Sequence, residues 1–233
     1  MLTFTGCFSI KYKKFLFTDI ILIVITKLPN ITPDYSINNS VAIVGASSNL
    51  LSNNFGEFID EFDNIIRFNR SPVSKTYTKH TGTKTTLRAV NNHVFDNTDI
   101  SQQGYSNSPK NFVKKLRNQD ILYIGPHEGP WERRHQNTHK SSRLFKFDYL
   151  SIKSLKKEID IQSEQNLQIG TIMIALCVSV NIVPHLFGFD LDLLPRTHYF
   201  ENRPSSENYK LHDPVEEKKA IRNLVESKKV VAY

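Results

Sequence analysis

Cysteine is nearly absent from this chain. Cys7 and Cys177 are the two in 233 residues; they have no metal-ligand spacing and cannot build a disulfide framework. Cys177 falls inside the apolar run Ile172–Val180 and reads as a small core residue. A long hydrophobic run is missing too. Phe15–Thr26, apolar except for Thr18 and Asp19, is about 12 residues against the roughly 20 a spanning helix needs. Behind Lys11, Lys13 and Lys14 it reads as a short anchor or signal-type segment, an interfacial helix, or a helix packed on the domain. There is no dense basic tail. The formal charge of +7 and the pI near 9.3 come from dispersed lysines and arginines, which read as solvated helix faces. No specific nucleic-acid partner is expected. Walker and GxGxxG loops are also lacking.

What is present begins at residue 41. Val41-Ala42-Ile43-Val44 has the continuous apolar character of a buried parallel strand. It runs into Gly45 and the small polar stretch Ala46-Ser47-Ser48-Asn49, whose N–H groups and hydroxyls suit a phosphate as well as an ordinary βαβ turn. A second apolar run, Asn64–Asn69, ends in Arg67, Asn69 and a turn at Ser71-Pro72. Ligands of open α/β sheets bind where strands end, so the two exits are expected to converge on one crevice.

Further strands are expected at Lys84–Asn91, Asp120–Ile124 and Leu144–Tyr149, with helices at Asn111–Arg117 and Ile152–Ile159 and a flexible loop over 96–109. His135 and His139, spaced i,i+4 within Gly129–Lys140, have no acidic third ligand nearby and read as part of a basic solvated helix. Gln168–Val180 carries the strongest helix pattern, followed by a strand over Ile182–Phe189. A last helix starts near Pro214 and a last strand covers Lys229–Ala232. Helices alternating with strands imply an α/β fold: a single domain, residues 34–233, with a mostly parallel nucleotide-binding-type sheet and helices on both faces, behind an N-terminal segment of residues 1–33. His198 and His212 are candidate acid–base groups, because imidazole titrates near neutrality; two loop histidines are the plain alternative. Asp190-Leu191-Asp192 reads either as a cap or solvated turn or as a DxD cation site.

The stretch Gly45, Ser47, Gly56, Ile59-Asp60, Arg67, Asn69, Ser71-Pro72 and Gly82–Arg88 resembles the large sialyl motif of the eukaryotic-type sialyltransferases, glycosyltransferase family 29. Gly170, the helix after it and Phe187-Gly188-Phe189 resemble that family's small motif. His198-Tyr199-Phe200-Glu201 is similar to its third motif, and His212 with Glu217 to its H-x4-E motif. The four occur in family order over residues 41–233. The resemblance implies a glycosyltransferase A-like fold. It also implies inverting, metal-independent transfer of sialic acid or a related acidic sugar from a CMP-activated donor to a glycan hydroxyl, the acceptor belonging to a glycoprotein, glycolipid or oligosaccharide. By that resemblance His212 is the base, Glu217 orients its region, and His198 donates to the leaving phosphate. Gly45, Ser47, Asn49, Asn69 and Tyr199 hold the nucleotide, while Gly170 and Gly188 let backbone approach the donor. No cofactor or metal is implied beyond the CMP-sugar co-substrate.

This chain departs from the family at Ala46, where an asparagine is usual, and at Gln168-Ile169, where a Ser-Thr pair meets the sugar carboxylate. Val41 and Asn181 stand where secretory members place a disulfide, which suits a reducing compartment. Two alternatives therefore accompany the transferase reading: a metal-dependent transferase of UDP- or GDP-sugars through Asp190 and Asp192, and a non-catalytic CMP- or glycan-binding relative. The expected location is a Golgi-type membrane if residues 15–26 act as an anchor, with weak membrane association, and cytoplasmic otherwise.

Overall fold

A computed structural model describes residues 40–91, 120–125, 144–148, 152–192, 198–199 and 212–233. The N-terminal segment, the loop over 96–109, the helix at 111–117 and the histidine pair at 135 and 139 lie outside them. In the described residues one sheet of seven strands organises the chain: β1 (Val41–Val44), β2 (Asn64–Phe68), β3 (Leu87–Val90), β4 (Asp120–Gly125), β5 (Leu144–Asp148), β6 (His185–Phe187) and β7 (Val231–Ala232). Every pairing is parallel, in the order β5-β4-β3-β2-β1-β6-β7. The α/β expectation holds.

Strand β1 sits in the interior of the sheet and is buried along its whole length, as its unbroken apolar run demands. Its side chains alternate between faces. Val41 and Ile43 join a core with α4 (Ile169–Ser179) and α5 (Pro214–Glu226); Ala42 and Val44 meet Leu50, Ile59, Phe62 and Tyr199 on the other side. Helix α4 is buried continuously from Thr171 to Cys177, as a helix apolar all round should be. Helix α5 is amphipathic, with Glu217, Ala220, Ile221 and Leu224 inward. Its start is fixed locally: Asp213 caps it by accepting from the Glu216 N–H at 3.0 Å, and Pro214 occupies the first turn.

Short elements join the first strands, and the strand expected at Lys84–Asn91 is shorter than its pattern suggested. The crossover from β1 to β2 contains a 3-10 turn, Ser48–Ser52, and a five-residue helix α1 (Gly56–Asp60). Strand β3 starts at Leu87 because the preceding residues serve a buried guanidinium: Arg67 Nε donates to Lys84 O (3.1 Å) and Thr85 Oγ1 (3.0 Å). The two remaining described helices are α2 (Thr78–Thr81) and α3 (Ile152–Glu158). Among the described residues no helix is long and apolar enough to cross a membrane.

Candidate active site

The strand order contains a reversal. From β1 the chain steps outward through β2, β3, β4 and β5, then returns to the opposite side of β1 as β6 and β7. Ligand crevices of open parallel sheets open at such a switch, beyond the carboxyl ends of the two diverging strands. Here those ends are Gly45 and Gly188. Strand β2 lies beside β1 as the sequence suggested, and the switch adds β6 as the second neighbour, which pairing order selects and local sequence does not encode.

The two glycines fit against each other. Gly45 N–H donates to Phe187 O at 2.7 Å and Ser47 N–H to Gly188 O at 3.1 Å. A Cβ on Gly45 would stand 2.3 Å from Gly188 O, and Gly188 itself has φ +70°, a left-handed conformation that glycine adopts without cost. Gly170, at the start of α4, rests on the Phe189 ring, where a Cβ would come within 3.0 Å of Cε1. The missing side chains at Gly170 and Gly188 therefore allow close packing of β1, β6 and α4.

Ser47 is the junction of the crevice. Its hydroxyl donates to Asp190 Oδ1 at 2.7 Å and accepts from the Asn49 N–H at 3.2 Å. Its backbone forms an antiparallel bridge with His198, and Tyr199 N–H donates to Ala46 O at 2.8 Å. The third motif is thereby laid alongside the Gly45 loop. Asp190, the first carboxylate of the DxD, is engaged with Ser47, while Lys218 Nζ reaches Asp192 O at 2.6 Å. Among the described residues no three histidine, cysteine or acidic side chains gather as a cation cage. Asn49 extends its amide toward Phe189 O at 3.5 Å, and its Oδ1 is buried without a partner.

Asn69, with φ 40°, follows β2, and its Oδ1 accepts from the Asn91 N–H at 3.1 Å. Arg67 and Arg88, opposite each other on β2 and β3, are buried beneath this edge. Arg67 was expected at the crevice. Instead it lies under it, bonded through Nη2 to Thr81 O and through Nε to Lys84 O and Thr85 Oγ1. Arg88 donates to Asn69 O (3.0 Å) and Ser71 O (2.9 Å), and burial together with Arg67 pushes its pKa down to about 9. Asp60 completes the frame by accepting from Thr83 N–H, Thr83 Oγ1 and Lys84 N–H. These anchors of the large motif are architectural. Tyr199 is similar: buried, it donates to Pro72 O at 2.9 Å and packs edge-on against Tyr77, and burial raises its hydroxyl to about 12. Its hydroxyl thus ties the third motif to the Ser71-Pro72 turn.

The last motif lies where α4 and α5 begin. Glu217, 2% exposed, accepts from the Gln168 N–H through both oxygens and from Thr171 Oγ1. Burial outweighs those bonds and lifts its pKa to about 7. The backbone N–H of Gln168, the residue that precedes α4, is thereby taken by an internal carboxylate. His212 Nδ1 lies 2.7 Å from Asn166 O. A carbonyl only accepts, so Nδ1 carries a proton, and in the neutral ring Nε2 is then the nitrogen with the lone pair. Contacts run from His212 to 166, Glu217 to 168 and 171, Gly170 to Phe189, Gly188 to Gly45 and Ser47 to His198. One continuous set of contacts therefore links both histidines. Phe200 and Glu201 lie outside the described residues.

The profile of Glycosyltransferase family 29 (sialyltransferase) matches residues 8–229. The chain belongs to this family. An alpha-N-acetylneuraminide alpha-2,8-sialyltransferase of Xenopus tropicalis is 36% identical over 86 residues, 36% of this chain and 23% of the relative. Beta-galactoside alpha-2,6-sialyltransferase 2 of Homo sapiens is 38% identical over 58 residues, 25% of this chain and 11% of that protein. Sialyltransferase-like protein 1 of Arabidopsis thaliana is 45% identical over 49 residues, covering 21% and 10%. The matched segments thus span less than a quarter of each curated relative. The crystal structure of a mammalian sialyltransferase in complex with Gal-beta-1-3GalNAc-ortho-nitrophenol superposes with a TM-score of 0.62 at 17% identity, covering 93% of this chain and 78% of that one. Family and fold agree with the resemblance in the four motifs.

Proposed function

We propose that this family member is an inverting glycosyltransferase that moves sialic acid from CMP-sialic acid to a glycan hydroxyl without a metal ion. The observation that carries the reading is the gathering of the Gly45–Ser47 loop, the Gly188 exit and the His198 segment at the sheet's switch point, with His212 tied to the same assembly through α4. Its relatives' names, sialyltransferases of two linkage types, support the substrate class. In the proposed reaction His212 Nε2 takes the proton of the acceptor hydroxyl as that oxygen attacks the anomeric carbon. The bond from that carbon to the phosphate oxygen breaks, and CMP departs with its charge stabilised by a hydrogen bond from His198. Ser47, Asn49 and Asn69 contribute polar groups to the nucleotide side of the crevice. The acceptor is a glycan of a glycoprotein, glycolipid or oligosaccharide.

The test is CMP release from CMP-sialic acid by the purified full chain in EDTA, beside His212→Ala. Release that survives EDTA and falls at least about a hundredfold in the variant is expected from loss of a general base. Loss of release in EDTA would favour the metal-dependent rival. CMP binding with no turnover across a glycan panel would favour a non-catalytic relative, the reading that Ala46 and Gln168-Ile169 motivate.

A further inference from the structure

The histidine read as the base hangs on a loop, and that loop is held by the helix the histidine introduces. The loop over residues 162–168 exposes Gln162, Glu164 and Asn166 between the buried Ile161 and the buried Leu167. Asn166 supplies the carbonyl that holds His212 Nδ1. Two successive carboxylates in the first turn of α5 grip the loop on either side of that carbonyl. Glu216 accepts from Gln162 N–H through Oε1 (2.7 Å) and from Ser163 N–H through Oε2 (2.8 Å), while Glu217 takes Gln168 N–H. The grip is itself braced: Asp213 holds the Glu216 N–H, and Lys156 Nζ donates to Ser163 O at 2.6 Å.

We infer that Glu216 is a positioning residue for His212, acting through the 162–168 loop to fix the tautomer and direction of the imidazole. The charge-assisted pair of bonds it makes is of the stronger kind, and the three groups close a ring: His212 to Asn166, the loop to Glu216, and Glu216 back along four residues of chain to His212. With Glu216 gone, the Gln162 and Ser163 N–H groups lose their acceptors, and the Lys156 bond to Ser163 O is left to hold that end. An imidazole without its Nδ1 partner no longer keeps Nε2 free for a substrate proton.

This inference rests on the reading of His212 as the base, but its test does not. Long-range proton–nitrogen NMR of the 15N-histidine-labelled full chain, recorded above the imidazole titration range, reports the tautomer directly, and His212→Gln assigns the signal. The unaltered protein is expected to show the Nδ1–H form, and Glu216→Ala to lose that preference. In the release assay Glu216→Ala should lower kcat about 10- to 100-fold, as removal of an outer hydrogen-bond partner does, with the donor KM nearly unchanged. Glu216→Gln, which keeps one acceptor oxygen, should fall between the two in both readouts and covers the case in which the alanine variant fails to fold. An unchanged tautomer in both variants, or a loss of kcat with the tautomer intact, would overturn the inference. Absence of turnover by the unaltered protein would instead sink the functional proposal and leave the tautomer measurement to decide this one.

Discussion

Glu217→Gln probes the cost of burying a carboxylate against two helix starts. The native carboxyl is lifted from the usual 4.5 to about 7, chiefly by desolvation and partly by Asp213, against the bonds from Thr171 and Gln168 and the pull of Lys156. A folded-state value above the unfolded one means that the folded protein binds the proton more tightly. Its stabilising effect is complete below the unfolded value and is lost as pH rises through about 7. The rise from 4.5 to about 7 corresponds to about 3 kcal/mol over the full range, of which about 2.5 kcal/mol falls between about pH 5 and pH 8. Glutamine is isosteric and never ionises, so it removes this slope. Urea unfolding of both proteins across that interval should show the variant gaining on the parent by about 2 to 3 kcal/mol as pH rises. Parallel stability curves, with a constant gap, would refute the claim that desolvation dominates at Glu217.

Gly45→Ala places a Cβ against the Gly188 carbonyl, a backbone atom that cannot swing aside; a loss of about 1–3 kcal/mol, read as a drop in Tm of roughly 2 to 12 °C, is expected. Asp60→Ala strips the acceptors from Thr83 and Lys84 and should cost about 2 to 4 kcal/mol in urea unfolding, without altering the pH slope assigned to Glu217. Burial pushes the Cys177 thiol up to about 12. In a Cys7→Ser background its reaction with a disulfide reagent should therefore proceed at the rate of unfolding; fast labelling of the native protein would contradict its place in the core.

Elements were legible where local pattern decides them. Val41–Val44 and the α4 run announce themselves by apolar continuity, and the start of α5 by Asp213-Pro214 with acids behind. Gly45, Ser47, His198, His212 and Glu217 were named from motif spacing, which survives in one dimension, and one continuous set of contacts joins them. Strand order has no such signal: nothing near Val41 specifies β6 as its second neighbour. Arg67 misled for a related reason. A cation at the end of a strand suggests a ligand, whereas the side chain turns beneath the sheet edge toward the carbonyls of Thr81 and Lys84. Asp190 was read as a cap or a metal ligand, and its partner is a serine 143 residues away. No signal in the sequence pointed to Glu216, whose partners lie on a loop that only tertiary packing brings near.

The reversal in strand order also has a history in time. Strand β1 leaves the ribosome early, yet β6, the strand that covers its second side, follows only after β2 to β5 have been made. Ser47 waits for Asp190 over 143 residues, roughly 7 to 30 s at ordinary rates of synthesis. Through that interval a flat, apolar strand edge has no native neighbour, the condition under which nascent parallel sheets stick to one another or to chaperones. The junction thus forms only with about the final fifth of the chain, and any truncation before His185 yields a sheet without β6 and β7.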